Sequence, residues 1–179
     1  MLETVKYTEP WTHWVVDEFL TPECLIEVKS VEHYNTQKNL GRRVGGDRRF
    51  INDSTKEQYP ELYKLYRSLH DGELKDYFEY HTNSKFDNLF PRVEVISDYG
   101  LFSLAPHHDH LEKKLTAILY TDYEQLYPGT ELSNGYRIPT VDNRCFFFVP
   151  STETIHSYPE TNFEKVRRCL QINYWTYQV

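Results

Sequence analysis

Hydrophobic spacing changes character near Phe90, and that change constrains the fold more than any other feature of the chain. Before it, apolar residues recur at helical intervals; after it, they alternate in short runs. Phe19-Leu20-Thr21-Pro22-Glu23-Cys24 reads as a helix start, with Thr21 as cap, Pro22 at the first helical position and Glu23 at the positive end of the dipole. The spacing predicts a helix through Leu25, Ile26, Val28 and Val31 that ends before Asn35. A second begins near Pro60 and carries Leu62, Leu65, Tyr66 and Leu69, until Asp71-Gly72 interrupts it. Leu74, Tyr77 and Phe78 predict a further helix to about His81. Beyond Phe90, Arg92–Ser97, Lys114–Thr121, Arg144–Val149 and Val166–Tyr177 read as strands. Pro128-Gly129, Asn134-Gly135 and Asp142-Asn143 separate them at hairpin-like intervals. The fold class is α+β, mainly β: helices first, then antiparallel strands that close into a sandwich or barrel.

A chain of 179 residues is expected to form one domain, burying roughly 70% of its unfolded surface. Aromatic residues make up 16% of it, which suits pleated surfaces. The net charge of −7 argues against a nucleic-acid partner. Arg42, Arg43, Arg48 and Arg49 form a local basic cluster in a glycine-containing stretch, Gly41 to Asp53, where a solvated, mobile loop or an edge strand is expected. Tyr7, Trp11 and Trp14 are expected in the core, with a substrate groove as their alternative place. Cys24, Cys145 and Cys169 are odd in number and widely spaced, which predicts reduced thiols in a cytoplasmic protein. Met1–Lys6 lacks an apolar signal core, and no run approaches membrane-spanning length.

The chemistry-bearing residues are Pro106-His107-His108-Asp109, then His156, then Arg167-Arg168-Cys169. In an extended segment His107 and Asp109 face the same way. With His156 they supply the two imidazoles and one carboxylate of a facial site for non-haem Fe(II), which leaves three positions open. His108 and His110 also stand two apart, so a cupin-like His-x-His arrangement remains open, as do histidines without a ligand role.

In order, these motifs resemble the prolyl-4-hydroxylase-like group of Fe(II)/2-oxoglutarate oxygenases. A strand, Val93–Ile96, and Tyr99 lead into His107-His108-Asp109, and Leu115-Thr116-Ala117-Ile118-Leu119-Tyr120 matches the group's Leu-Thr-x-x-x-Tyr strand. Gly129-Thr130-Glu131-Leu132 matches its Gly-x-x-Leu element, with Thr130 where a second glycine is common. Asn143-Arg144 opens the apolar strand Cys145–Phe148; His156 follows, and Arg167-Arg168-Cys169-Leu170 begins the closing strand. The helix start at Phe19–Cys24 is also similar.

The resemblance implies a double-stranded β-helix, or jelly roll, over about residues 89–179, with supporting helices in an N-terminal part of about 1–88. It implies Fe(II) on His107, Asp109 and His156, and 2-oxoglutarate held by Arg167 and Tyr120, with Tyr99 near cosubstrate or substrate. Arg168 would face the opposite way from Arg167. The implied reaction uses O₂ and 2-oxoglutarate to hydroxylate a C–H bond, releasing succinate and CO₂. Asp109 favours hydroxylation, because halogenating relatives lack this carboxylate. The implied substrate is a prolyl or other side chain of a peptide or protein, with a free amino acid or small metabolite as the alternative. A cupin-like metalloenzyme independent of 2-oxoglutarate and a non-catalytic jelly-roll binding module are the rival readings.

Overall fold

The computed structural model describes residues 2–32, 46–121 and 127–178. Its strands are β1 (Thr4–Tyr7), β2 (His13–Val16), β3 (Gly46–Ile51), β4 (Phe90–His107), β5 (Lys113–Tyr120), β6 (Glu131–Leu132), β7 (Arg144–Phe148) and β8 (His156–Trp175). Three α-helices, α1 (Pro22–Ser30), α2 (Pro60–Asp71) and α3 (Glu73–Thr82), lie between β2 and β4. The strands hydrogen-bond in the order β1-β2-β7-β5-β8-β4-β3, and β6 pairs separately with the start of β8.

Two long strands generate the architecture. β4 and β8 run antiparallel from Phe90 opposite Trp175 to His107 opposite His156, with breaks in register at Asp98/Gly100, Phe102/Leu104 and Leu104/His107. At the first break β4 spends one residue, Tyr99, while β8 spends three, Glu164 to Val166. Such irregularities bend a strand pair. Gly100 adopts φ +63°, a conformation that glycine tolerates without steric cost. The bend folds the far halves of β4 and β8, with β6, over the near halves. The result is a double-stranded β-helix with a cavity between its layers.

Alternation sorts the side chains of the larger layer. On β4, Val93 and Val95 turn outward to the helices, while Arg92, Glu94 and Ile96 line the cavity. The outward face of β5, β7 and β8 adds Leu115, Ala117, Leu119, Cys145, Phe147, Leu170, Ile172 and Tyr174 to the main core. Val28 of α1, Leu62, Leu65 and Leu69 of α2, and Phe78 of α3 cover it. Phe147 is fully buried, stacked on Trp14 at 5.2 Å and edge-on to Phe78 at 5.1 Å.

The predicted helices form, and α1 begins as expected, with the Thr21 hydroxyl accepting from the Cys24 N–H. It stops at Ser30, earlier than the predicted limit before Asn35, which itself lies outside the described residues. The part expected to be helical also contributes three strands. β1 and β2 extend one edge of the sheet beyond β7, and β3 caps the other beside β4. Gly46–Ile51 is therefore an edge strand rather than a loop; Gly41–Gly45, with Arg42 and Arg43, lies outside the described residues. Trp11 and Trp14 are buried in the core, whereas Tyr7 is exposed and stacks on His13 at 5.1 Å. All three cysteines are buried free thiols. Among the described residues, no helix is long and apolar enough to cross a membrane.

Phe147 joins sheet to helices from inside the core, so Phe147→Ala removes a large buried ring. The expected loss is about 3–5 kcal/mol of unfolding free energy, read from denaturant titration of both proteins.

Candidate metal centre

The end of β4 meets the start of β8, and this junction sets His107 opposite His156 with ring centroids 4.4 Å apart. Each ring is aimed the same way. Nδ1 of His107 lies 2.9 Å from the Ala105 carbonyl oxygen, and Nδ1 of His156 lies 3.0 Å from that of Thr154. A carbonyl only accepts, so each Nδ1 carries a proton, and in the neutral ring that tautomer leaves the Nε2 lone pair for a metal. Burial holds the His156 pKa below the ordinary histidine value against the pull of Asp109, which favours the neutral, ligating form.

Asp109 comes to the same side as His107, as the i, i+2 spacing predicts, although it lies two residues past the end of β4. A tight turn, closed by the Lys113 N–H on the His110 carbonyl at 2.9 Å, leads into β5. Two β5 side chains then orient Asp109: Lys113 Nζ lies 2.9 Å from Oδ1, and the Thr116 hydroxyl donates to Oδ2 at 2.6 Å. Burial resists ionisation of Asp109, but the Lys113 ammonium and the Thr116 hydroxyl outweigh it and hold its pKa below the usual value. One donor atom from each of His107, Asp109 and His156 lies within 4.8 Å of the others. Two imidazoles and a carboxylate make a donor set suited to a divalent first-row metal.

The three donors line a cavity of about 520 Å³ that Arg167 also lines. Arg167 is 3% exposed; its Nη1 donates to Asp98 Oδ2 at 2.6 Å. Its guanidinium carbon lies 4.8 Å from the ring centre of Tyr158 and 5.7 Å from that of Phe163. Among the described residues, two buried donors here have no hydrogen-bond partner: Arg167 Nε and the Tyr158 hydroxyl. Burial drives the Tyr158 pKa upward despite the nearby guanidinium, so this hydroxyl keeps its proton and can donate. Orphaned buried donors cost free energy unless a ligand or water meets them.

Arg168 does not line the cavity; its Nε donates to the Val31 carbonyl at 3.1 Å. Tyr120 is buried, but its hydroxyl donates to Thr130 Oγ1 at 2.8 Å and accepts from the Thr130 N–H at 3.2 Å. It does not line the cavity, and neither does Tyr99, which is half-buried at the bend of β4. Thr130 follows Gly129, where any Cβ would lie 1.6 Å from the Ile138 carbonyl oxygen, so close approach fixes this segment. His108 and His110 line the cavity outside the three-donor group; the His108 ring is held to the Asp109 carbonyl at 2.9 Å.

Sequence reasoning missed Tyr158, Asp98, Lys113 and Thr116. Asp98 faces Arg167 across β4 and β8, which only the pairing reveals, and Lys113 reaches Asp109, four residues away, through the turn between them. Arg92 and Glu94 were legible in principle, because polar residues alternate there with Val93 and Val95.

No protein-family model matches the chain, and no curated protein sequence matches it either. Solved structures do. A prolyl 4-hydroxylase from Phytophthora capsici superposes with a TM-score of 0.65 at 16% identity, over 91% of this chain and 58% of that one. The chain thus spans little more than half the length of that protein. The fold is shared. A prolyl hydroxylase from Trichoplax adhaerens, in complex with a hypoxia-inducible-factor peptide fragment, gives a TM-score of 0.60 at 15% identity, covering 92% and 83% of the two chains. HygX from Streptomyces hygroscopicus, with nickel and 2-oxoglutarate bound, gives 0.61 at 9% identity, covering 91% and 82%.

Asp98 neutralises a guanidinium that water barely reaches. Asp98→Ala is therefore expected to lower unfolding free energy by about 3–5 kcal/mol, the cost of an uncompensated buried charge, in chemical denaturation.

Proposed function

We propose that the chain is an Fe(II)- and 2-oxoglutarate-dependent oxygenase that hydroxylates a C–H bond. The observation that carries this reading is a single cavity lined both by His107, Asp109 and His156 and by a buried arginine with an unpartnered N–H. The residues fit both groups. Both Nε2 atoms and the Asp109 carboxylate would hold the metal. Arg167 and the Tyr158 hydroxyl, the two orphaned donors, would hold the distal carboxylate of 2-oxoglutarate. A planar guanidinium suits that task, because it offers directed, charge-assisted hydrogen bonds. Tyr120, which the sequence resemblance assigned to this carboxylate, instead anchors Thr130, a residue of the cavity wall. Tyr99 has no role in this reading.

When bound, iron and 2-oxoglutarate supply O₂-dependent oxidation of a C–H bond. This chain's own residues do the rest. Asp98 holds the Arg167 guanidinium against the Tyr158 ring. The carbonyls of Ala105 and Thr154 fix the imidazole tautomers. Thr116 and Lys113 orient Asp109, whose presence as a third protein ligand favours hydroxylation over halogenation. Phe148, packed edge-on against His156 at 5.2 Å, shields that ligand from water. The peptide bound to the Trichoplax adhaerens enzyme supports a peptide or protein side chain as substrate, with a free amino acid or small metabolite as the alternative.

The test is anaerobic loading with Fe(II), followed by O₂-dependent conversion of 2-oxoglutarate to succinate. Slow turnover without added substrate is expected from the wild type. His107→Ala should lose iron as well as turnover, whereas Arg167→Ala should keep iron and weaken 2-oxoglutarate binding about tenfold or more. A wild-type chain that binds no iron overturns the reading.

A further inference from the structure

Part of the cavity wall is charged in a way that the metal and 2-oxoglutarate do not use. Glu94 points inward from β4, and its side chain is only 2% exposed. Arg48 of β3 reaches one carboxylate oxygen at 2.8 Å, and Arg92 of β4 reaches the other at 2.6 Å. Both arginines line the cavity that holds the three metal-ligand candidates. Two guanidinium charges against one carboxylate leave a single positive charge. Each guanidinium has five N–H donors, and Glu94 cannot occupy them all. Arg92 is also fixed in place: its guanidinium carbon lies 4.7 Å from the Phe50 ring centre and 5.8 Å from that of Trp175. Aromatic contacts at this range hold a guanidinium in place while leaving donors at its edge.

We propose that Arg48 and Arg92 form a carboxylate-binding subsite, which selects a substrate bearing one negative charge beside the C–H bond to be oxidised. One carboxylate cancels the residual charge, whereas a phosphate dianion overshoots it. A carboxylate can bridge two guanidiniums as Glu94 already does, and the preset geometry reduces the ordering cost of binding. The carboxylate can be the α-carboxylate of an amino acid or chain terminus, or an acidic side chain in a peptide. The proposal rests on the oxygenase reading for the fate of the bound molecule, but the binding step can be measured without turnover.

The experiment is calorimetric titration of the full chain, alone and after anaerobic loading with Fe(II) and saturating 2-oxoglutarate, which fills the Arg167 end. The probes are matched pairs. N-acetyl amino acids against their carboxamides test an α-carboxylate; N-acetyl-glutamate amide against N-acetyl-glutamine amide tests an acidic side chain. In at least one pair the acid should bind about tenfold more tightly than its neutral partner. Arg48→Gln and Arg92→Gln should each abolish most of that preference. Glu94→Gln, which removes the competing carboxylate, should preserve or increase it, an effect that a purely structural network would not produce. Equal binding of acid and amide in every pair overturns the proposal, as does a preference that survives both arginine substitutions. Tighter binding of N-acetyl-phosphoserine amide than of either acid also overturns it. If the chain takes up no iron yet still prefers the acids, the oxygenase reading fails and the subsite stands.

Discussion

The pairing of β4 with β8 is the constraint on which the rest of the structure depends. A regular antiparallel ladder between strands of 18 and 20 residues would give a twisted ribbon with no interior. The unequal insertion at Asp98/Gly100 and the later slips bend the pair, so that one pair of strands contributes to both layers. The same pairing has chemical consequences at both ends of the bend. Asp98 falls opposite Arg167, and His107 falls opposite His156. A one-residue slip of β8 would turn His156 and Arg167 away from the cavity and leave His107 and Asp98 without their partners.

This dependence explains what was legible in the sequence. The helices were readable because capping and 3.6-residue spacing are local signals: Thr21-Pro22-Glu23 and Leu62-Leu65-Leu69 need no knowledge of their partners. The central strands were readable from alternation, although β4 and β8 extend well past the alternating segments. Their bent halves carry Gly100, Pro106, Pro159 and several charged residues, which break the pattern that identifies a strand. β1 and β2, four residues each, were too short to show a period. At β3 the sequence left a solvated loop and an edge strand both open; its inward partner decides it, because Arg48 reaches the buried Glu94.

At the site, sequence order brought forward His107, Asp109, His156 and Arg167, and the fold gathers these four around one cavity. The tyrosines were not separable in the same way. Fifteen tyrosines share one chemistry, and which hydroxyl lacks a partner depends on contacts between segments distant in the chain. Tyr120 meets Thr130 ten residues away, and its hydroxyl is satisfied. Tyr158 lies under Arg167, where aromatic packing buries its hydroxyl without supplying an acceptor. The resemblance therefore pointed to a tyrosine at this end of the cavity, and packing determines which one has a free hydroxyl.

Charge is arranged within the cavity by a repeated device. Each buried carboxylate holds one or more cations against the wall: Asp98 holds Arg167, Glu94 holds Arg48 and Arg92, and Asp109 holds Lys113. Without these partners, four cations lining about 520 Å³ would repel one another and resist burial. With them, the cations are held in fixed positions before any ligand arrives, so that less ordering remains for a ligand to impose. The three carboxylates also differ in a useful way. A metal would share Asp109 with Lys113, whereas Asp98 and Glu94 stay committed to their arginines, each of which has N–H donors to spare. The cavity can thus accept further negative charge without dismantling the contacts that shape it, which is the property that the proposed cosubstrate and carboxylate sites would need.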